Sequence, residues 1–177
     1  MEGPSDHELM GRAGQGDQRA FQILARRHAG RAHGLARRIL GSDALAEEIV
    51  QDALLRVWIN APRWRPEAAF RTWLYRIVVN LCLNAKRRPE NLPLAAADDV
   101  VDPAPGADAQ LEERERDQHL AAAIDALPPR QRAAIVLTYQ EGLANAEAAA
   151  VLDISLSGFE ALLVRAKREL RAALGSD

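Results

Sequence analysis

Apolar residues return at helical spacing in one segment of this chain after another. The fullest example is FRTWLYRIVVNLCLNAKRR, residues 70–88. Phe70, Trp73, Leu74, Ile77, Val78, Leu81 and Cys82 share one broad apolar face on a helical repeat. Along the other side Thr72, Arg76, Asn80, Asn84 and Arg87 follow at spacings of four, four, four and three. Two amides and two guanidinium groups thus stand in a row on a rod of roughly 28 Å. Lys86, Arg87 and Arg88 close the helix ahead of Pro89. A charged face of this kind serves either as a solvated surface or as a bed for a polyanion. Amides interleaved with arginines, with aromatics just upstream, suit a nucleic-acid strand better than bulk water.

Upstream, the same spacing predicts three more helices. Asp6 is the expected cap of a short helix through about Ala13, and the Gly14–Gly16 segment breaks it. Asp17 caps the next, to about Leu40, with Phe21, Leu24, His28, Leu35 and Ile39 near one face. His28 and His33 are five apart with no matching carboxylate or thiol, so no metal site is expected. Gly41-Ser42 reads as a stop and a cap, and Glu47 and Glu48 sit early in a third helix, about 43–60. There Ala46, Ile49, Val50, Ala53, Leu54 and Val57 form the core stripe. Glu48, Gln51, Asp52, Leu55 and Ile59 form a second stripe whose Leu55 and Ile59 lie off the core face. That stripe is either a partner-binding surface or is covered by another helix of the same domain. The loop that follows, APRWRPEAAF, holds Pro62 and Pro66 with Arg63, Trp64 and Arg65. Core packing accounts for Trp58 and Trp73, whereas Trp64 is placed to stack on an unpaired base.

Residues 89–108, PENLPLAAADDVVDPAPGAD, carry four prolines, few large apolar groups and a run of acids, the composition of a linker. Beyond it one helix is expected from near Leu111 to about Leu127 and a second from about Pro129 to Glu141, stopped by Gly142. A short Ala-rich helix capped by Asn145 (146–152), the turn DISLS and a helix from about Ser157 to Leu174 complete a helix-turn-helix pattern. The chain therefore divides into domains at 1–88 and 111–177, joined by an acidic linker at 89–110.

Charge sharpens this division. The net charge is −2, but residues 1–88 carry 15 Lys and Arg against 9 Asp and Glu. Residues 89–117 carry 2 against 9, and residues 118–177 carry 6 against 7. A basic block, an acidic connector and a nearly neutral tail imply separate tasks, and the basic block calls for a polyanion. The polar, acidic N-terminus leads us to expect no signal peptide, and no apolar run approaches a membrane span. A lone cysteine on an apolar face, Cys82, excludes a disulfide framework and reads as a core residue in a reducing compartment. Phosphate-binding glycine loops, nucleophile elbows and other catalytic constellations do not occur, so neither enzyme activity nor a cofactor is expected.

Five stretches together carry a resemblance: AFQILARRH (20–28), AEEIVQDALLRVW (46–58), residues 70–88, ALPPRQRAAIVLTYQEGLANAEAAAVLDIS (126–155) and LVRAKREL (163–170). In order, spacing and two-domain layout they resemble the sigma-70 family, specifically its extracytoplasmic-function (ECF) group. The resemblance implies an all-α protein with a region 2-like helical bundle and a region 4-like helix-turn-helix on a flexible acidic linker. It implies a dissociable subunit that gives core RNA polymerase its promoter recognition. Glu48, Gln51, Asp52 and Leu55 fall where such proteins dock on the clamp of the largest polymerase subunit. Trp64, Phe70, Arg71, Arg76, Asn80 and Arg87 fall where the −10 element is recognised and its non-template strand held single. The implied partners are core polymerase, through its largest and second-largest subunits, promoter DNA and an anti-sigma factor. The implied location is the cytoplasm, without membrane insertion.

One stretch departs from the family's pattern. Basic residues are common early in the −35 recognition helix, roughly as T-V-K-S-R, where this chain reads Gly158-Phe159-Glu160-Ala161-Leu162. A carboxylate there repels phosphate but accepts from a cytosine amino group. The −35 contacts are accordingly expected on Ser155, Ser157, Glu160, Arg165 and Lys167, with Arg168 on the backbone. The acidic linker suits a basic channel of the polymerase. A rival reading is a sigma-like decoy that occupies an anti-sigma factor without reading DNA. The weak −35 helix favours the decoy, whereas the basic −10 helix and the α-helical docking stripe favour a working factor.

Overall fold

The computed structural model describes residues 3–86 and 108–175; in the helix that opens at Asp108, side chains are described from Arg114 on, Glu115 apart. All regular elements among these residues are helical. They are α1 (Asp6–Ala13), α2 (Gln18–Leu40), α3 (Asp43–Asn60), α4 (Phe70–Ala85), α5 (Asp108–Ala126), α6 (Pro129–Ile135), α7 (Asn145–Leu152) and α8 (Leu156–Leu174). A 3₁₀ turn at Ala61–Arg63 follows α3, and a π turn at Val136–Gln140 continues α6. The expected linker, 89–110, lies outside the described residues up to 107. Its last three residues belong instead to α5, which opens ahead of the expected Leu111.

Local chemistry sets the helix ends. Asp17 caps α2 as expected, accepting from the Arg19 and Ala20 amides, and Ser42 caps α3. Gly41, at φ 73°, supplies the left-handed residue that ends α2. Bonds from the Ala20 amide and from Arg12 hold the Asp17 carboxyl below its ordinary range. Two expected caps are corrected. Ser5, not Asp6, caps α1. Its Oγ accepts from the Glu8 amide at 3.2 Å while the Glu8 carboxylate accepts from the Ser5 amide at 2.7 Å. Asp6 is thereby free to bind α2, where it pairs with Arg27 and lies 2.7 Å from His28 Nε2. Ala144, not Asn145, precedes the first turn of α7, and the Glu147 carboxylate accepts from its amide at 3.2 Å. His28 and His33 each face a carboxylate after all, Asp6 and Asp43 respectively. The two carboxylates are different ones, and the described residues hold no cluster fit for a metal ion.

Leu9, Met10, Leu24, Leu35, Ile39, Val57, Leu74 and Val78 are fully buried in the N-terminal bundle. Leu137, Leu152 and Phe159 are fully buried in the C-terminal one. Cys82 is buried, and that burial pushes its thiol up to about 12. Helix α4 differs from its expected single-faced pattern. Thr72, placed on the polar side by spacing, is 7% exposed, and Tyr75, Val79 and Leu83 are buried as well. Only a narrow sector, Arg76, Asn80 and Asn84, remains exposed.

The two bundles pack on one another. Glu141, at the end of the π turn, accepts from the Tyr75 hydroxyl at 2.6 Å and from Arg38 at 2.8 Å. The buried Arg132 donates to the Ile39 carbonyl at 3.1 Å, and Arg76 bonds Asp153 at 2.8 Å. Burial lowers the proton affinity of Arg132, an effect that Asp125, 3.4 Å away, opposes.

Candidate nucleic-acid interface

The exposed sector of α4 forms one wall of a cleft of about 620 Å³. The opposite wall is the loop after α3. Pro62 fixes the start of that loop in a 3₁₀ turn. Gly14 lets the end of α1 press against its root, since a Cβ there would lie 2.9 Å from the Ala61 carbonyl oxygen. The Trp64 ring is half-buried between His7, at 5.5 Å, and Trp73, at 6.3 Å. Arg63 and Arg65 flank it and are exposed.

Trp64, Trp73, Arg76, Asn80 and Asn84 therefore face one hollow together with Arg56, Asn60, Arg63 and Arg65. Four guanidinium groups stand against one carboxylate, Glu67, in that lining. Such a hollow offers phosphate neutralisation, an indole edge for an unstacked base and amides for base edges. Sequence spacing missed Arg56 and Asn60, which stand at the end of α3. It placed Asn84 in the polar row of α4 and Arg63 and Arg65 in the loop, without naming any of the three among the −10 contacts. The i, i+4 relation of Arg56 and Asn60 was the available signal.

Two expected members stand elsewhere. Phe70 is 4% exposed, with its ring 4.9 Å from His28 and 6.1 Å from Trp73, so it supports the cleft from the core and presents no face to a base. Arg71 lines a second cleft, of about 500 Å³, with Arg31, Arg38 and Glu141 at the contact between the bundles. Arg87 lies outside the described residues.

On α3, Leu55 is 56% and Ile59 63% exposed, so no helix among the described residues covers this stripe. Glu48 and Gln51 are exposed beside them. Asp52 is held by Arg56 through two bonds of 3.0 and 3.1 Å.

Helix α8 is anchored by Phe159, Leu163 and Ala166, all buried. Its far side presents Ser157, Ala161, Val164 and Arg168, with Glu160 and Arg165 flanking, all exposed. Two expected contacts are engaged locally. Ser155 caps the helix, its Oγ accepting from the Gly158 amide at 3.1 Å, and the Lys167 ammonium sits 5.2 Å from the centre of the Tyr139 ring. Val164, 66% exposed at mid-helix, was not expected as a contact. It lies three residues beyond Ala161 and four before Arg168, which was the signal for it.

Comparison with known proteins fits this division. Residues 24–91 match the family described as Sigma-70 region 2, and residues 118–170 match Sigma-70, region 4. The chain is 36% identical over 171 residues to the ECF RNA polymerase sigma factor SigM of Mycobacterium tuberculosis, covering 97% of this chain and 85% of that one. It is 33% identical to the RNA polymerase sigma factor CnrH of Cupriavidus metallidurans, covering 98% and 96%. A solved structure of CnrH in complex with the cytosolic domain of CnrY superposes with a TM-score of 0.71, 29% identity and coverage of 98% and 99%.

Proposed function

The chain belongs to the sigma-70 family, among its ECF sigma factors, and from that premise we propose how its surfaces divide the work of promoter-specific initiation. Helix α3 docks on the clamp of core polymerase through Glu48, Gln51, Leu55 and Ile59. The cleft between α4 and the Trp64 loop receives the non-template strand of the melted −10 element. Helix α8 enters the major groove at −35 with its Ser157–Arg168 face. The first two tasks belong to a domain at 1–88 and the third to a domain at 111–177, joined by the acidic linker at 89–110, whose last three residues open α5. The factor works in the cytoplasm and does no chemistry of its own, since bond formation belongs to the polymerase. No helix among the described residues is long and apolar enough to cross a membrane. We infer that an anti-sigma partner restrains it; its relative CnrH is itself found in complex with a second protein, the cytosolic domain of CnrY.

The observation that carries this reading is the convergence of Trp64, Arg63, Arg65, Arg76 and Asn80 on one hollow. A strand leaving the duplex needs a concave bed with cations, a stacking edge and amides, and the cleft supplies all three. The test is run-off transcription with bacterial core polymerase over a genomic promoter library, comparing the wild type with Arg76→Ala/Asn80→Ala. Promoter-specific transcripts that fade in the double variant are expected. Core binding without any transcript would favour a decoy for an anti-sigma factor, and failure to bind core would overturn the assignment.

A further inference from the structure

The second cleft is built unlike the first. Arg31 and Arg38 reach it from α2, and Arg71 from the first turn of α4. Against these three guanidinium groups stands one carboxylate, Glu141, which is already engaged by the Tyr75 hydroxyl at 2.6 Å and by Arg38 at 2.8 Å. Among the described residues neither Arg31 nor Arg71 has a carboxylate within ion-pairing distance. Both nonetheless act on the same spot, since each opposes the rise that burial and Glu141 impose on the Tyr75 hydroxyl. Three cations against one carboxylate leave an excess of two positive charges in the lining. Its floor is bare. Gly30 and Gly34, one turn apart on α2, present no side chain there. Glycine inside a helix is destabilising relative to alanine, and packing does not demand it at Gly30, where a Cβ would meet nothing within 4 Å. At Gly34 a Cβ would stand 3.5 Å from Arg38 Nη1, so the guanidinium lies over the gap. Gln140 adds an amide, and no aromatic or aliphatic residue among those described lines the hollow. The first cleft, by contrast, holds Trp64 and Trp73. A ligand of the second is held by its charge, with no ring to stack.

We propose that the cleft of Arg31, Arg38 and Arg71 binds a small oligophosphate, a compact anion of at least two linked phosphate groups. Arg31 and Arg71 take one phosphate, and Arg38, shared with Glu141, takes the next. A guanidinium fork matches two phosphate oxygens at once, and the bare floor of α2 lets the anion come close to the helix. The hollow of about 500 Å³ holds a diphosphate with room to spare. A nucleic-acid strand carries one charge per phosphate and spreads them along its length, whereas three converging cations suit charge gathered in one place. Glu141 adds selectivity. Its carboxylate weakens every anion, so that only a multiply charged one gains enough from the arginines to stay. All three cations belong to α2 and α4, and the two clefts share no lining residue. The inference is therefore independent of the assignment of the first cleft to the −10 strand.

The test is isothermal titration calorimetry of the full chain with sodium pyrophosphate, without divalent cations and at fixed ionic strength, beside orthophosphate and sulfate. Pyrophosphate should saturate a single site and bind about tenfold more tightly than either of the others. Arg31→Gln/Arg71→Gln should weaken it about tenfold or more. Glu141→Gln removes the competing charge and keeps an acceptor for Tyr75. It should tighten pyrophosphate about threefold to tenfold, a gain that misfolding cannot produce. Arg19→Gln/Arg26→Gln, at exposed positions of α2 outside the cleft, should leave the affinity unchanged. Absence of saturable pyrophosphate binding would overturn the site. Equal affinity for all three anions, or equal losses in the two arginine pairs, would mean attraction by net charge alone and would overturn it too. A third outcome also sinks it: Arg31→Gln/Arg71→Gln binds pyrophosphate like the wild type but loses a fluorescent single-stranded oligonucleotide, which would give the three arginines to DNA.

Discussion

Helices α4 and α8 are both assigned to DNA, yet they are built in opposite ways. Helix α4 is buried around most of its circumference and exposes only Arg76, Asn80 and Asn84. It needs the Trp64 loop opposite to make a hollow. Helix α8 is anchored along one side by Phe159, Leu163 and Ala166, with Leu162 and Leu170 half-buried beside them, and leaves its far side exposed. On the proposed assignment, the difference suits two forms of DNA. A strand that has left the duplex has lost its stacking partners and requires a concave bed with an aromatic edge. An intact duplex offers a groove wide enough for a helix and requires a projecting one.

If this contrast is right, the largest effect comes from a residue that supports the cleft without facing it. Phe70→Ala should cost about 3–5 kcal/mol of stability by emptying a buried site, whereas Phe70→Leu should keep most of it. Chemical denaturation followed beside run-off transcription checks this. Activity per folded molecule should survive Phe70→Leu, and a loss of promoter choice with full stability would return Phe70 to the reading surface. Next in size is Asn80→Ala, which leaves the fold intact and should weaken promoter discrimination by about 1–3 kcal/mol, about five- to 150-fold. The same substitution should not alter binding to a −35 duplex fragment, which ties the effect to α4.

How well the sequence disclosed each surface has a physical explanation. The row Arg76, Asn80 and Asn84 was legible because four-residue spacing on a long helix is robust to everything but its ends. The Ser5–Glu8 capping box stands in the sequence as S-x-x-E, yet the cap was expected on Asp6 alone, which pairs with α2 instead. The burial of Thr72, Tyr75, Val79 and Leu83 left one trace, a helix apolar nearly all the way round. A single best face drawn on the wheel conceals that trace. Arg71 went astray for a related reason: α4 packs against α2, α3, α6 and α7, and spacing alone does not say which side each one takes. The contacts between the two bundles were not legible. Asp153 in a left-handed turn and Glu141 after a π turn depend on backbone geometry that no periodicity announces.

The buried side of α4 also predicts a response to alkali that α8, with no buried acid of its own, does not share. The Cys82 thiol rises from 9.0 to about 12 through burial. A raised acid pKa favours the folded state no further below 9, and stability is lost as pH climbs from 9 towards 12. The slope from this group is about 1.4 kcal/mol per pH unit in that window. Burial and the nearby Glu141 raise the Tyr75 hydroxyl too, with the same sign. Urea denaturation at pH 8.5 and 10 should show the loss. Cys82→Ala should lessen it, at the cost of a somewhat lower stability at neutral pH.

The smallest effects test whether α8 reads base edges or only holds phosphate. Arg168→Ala removes one cation from the outward face and should flatten the dependence of log affinity on log salt by about 0.9, with nearly equal losses on all duplexes. Val164→Ala removes no charge and should leave the salt slope unchanged. Its methyl groups match a thymine C5-methyl in the major groove, so its loss of about 1 kcal/mol or less should appear only on sites that carry thymine at one position. Titration of region-matched duplexes at several salt concentrations separates the two. A salt-slope change in Val164→Ala, or a sequence-dependent loss in Arg168→Ala, would exchange their roles. If neither substitution had any effect, the exposed side of α8 would be a solvated surface, and the contrast with α4 would be between a reader and a bystander.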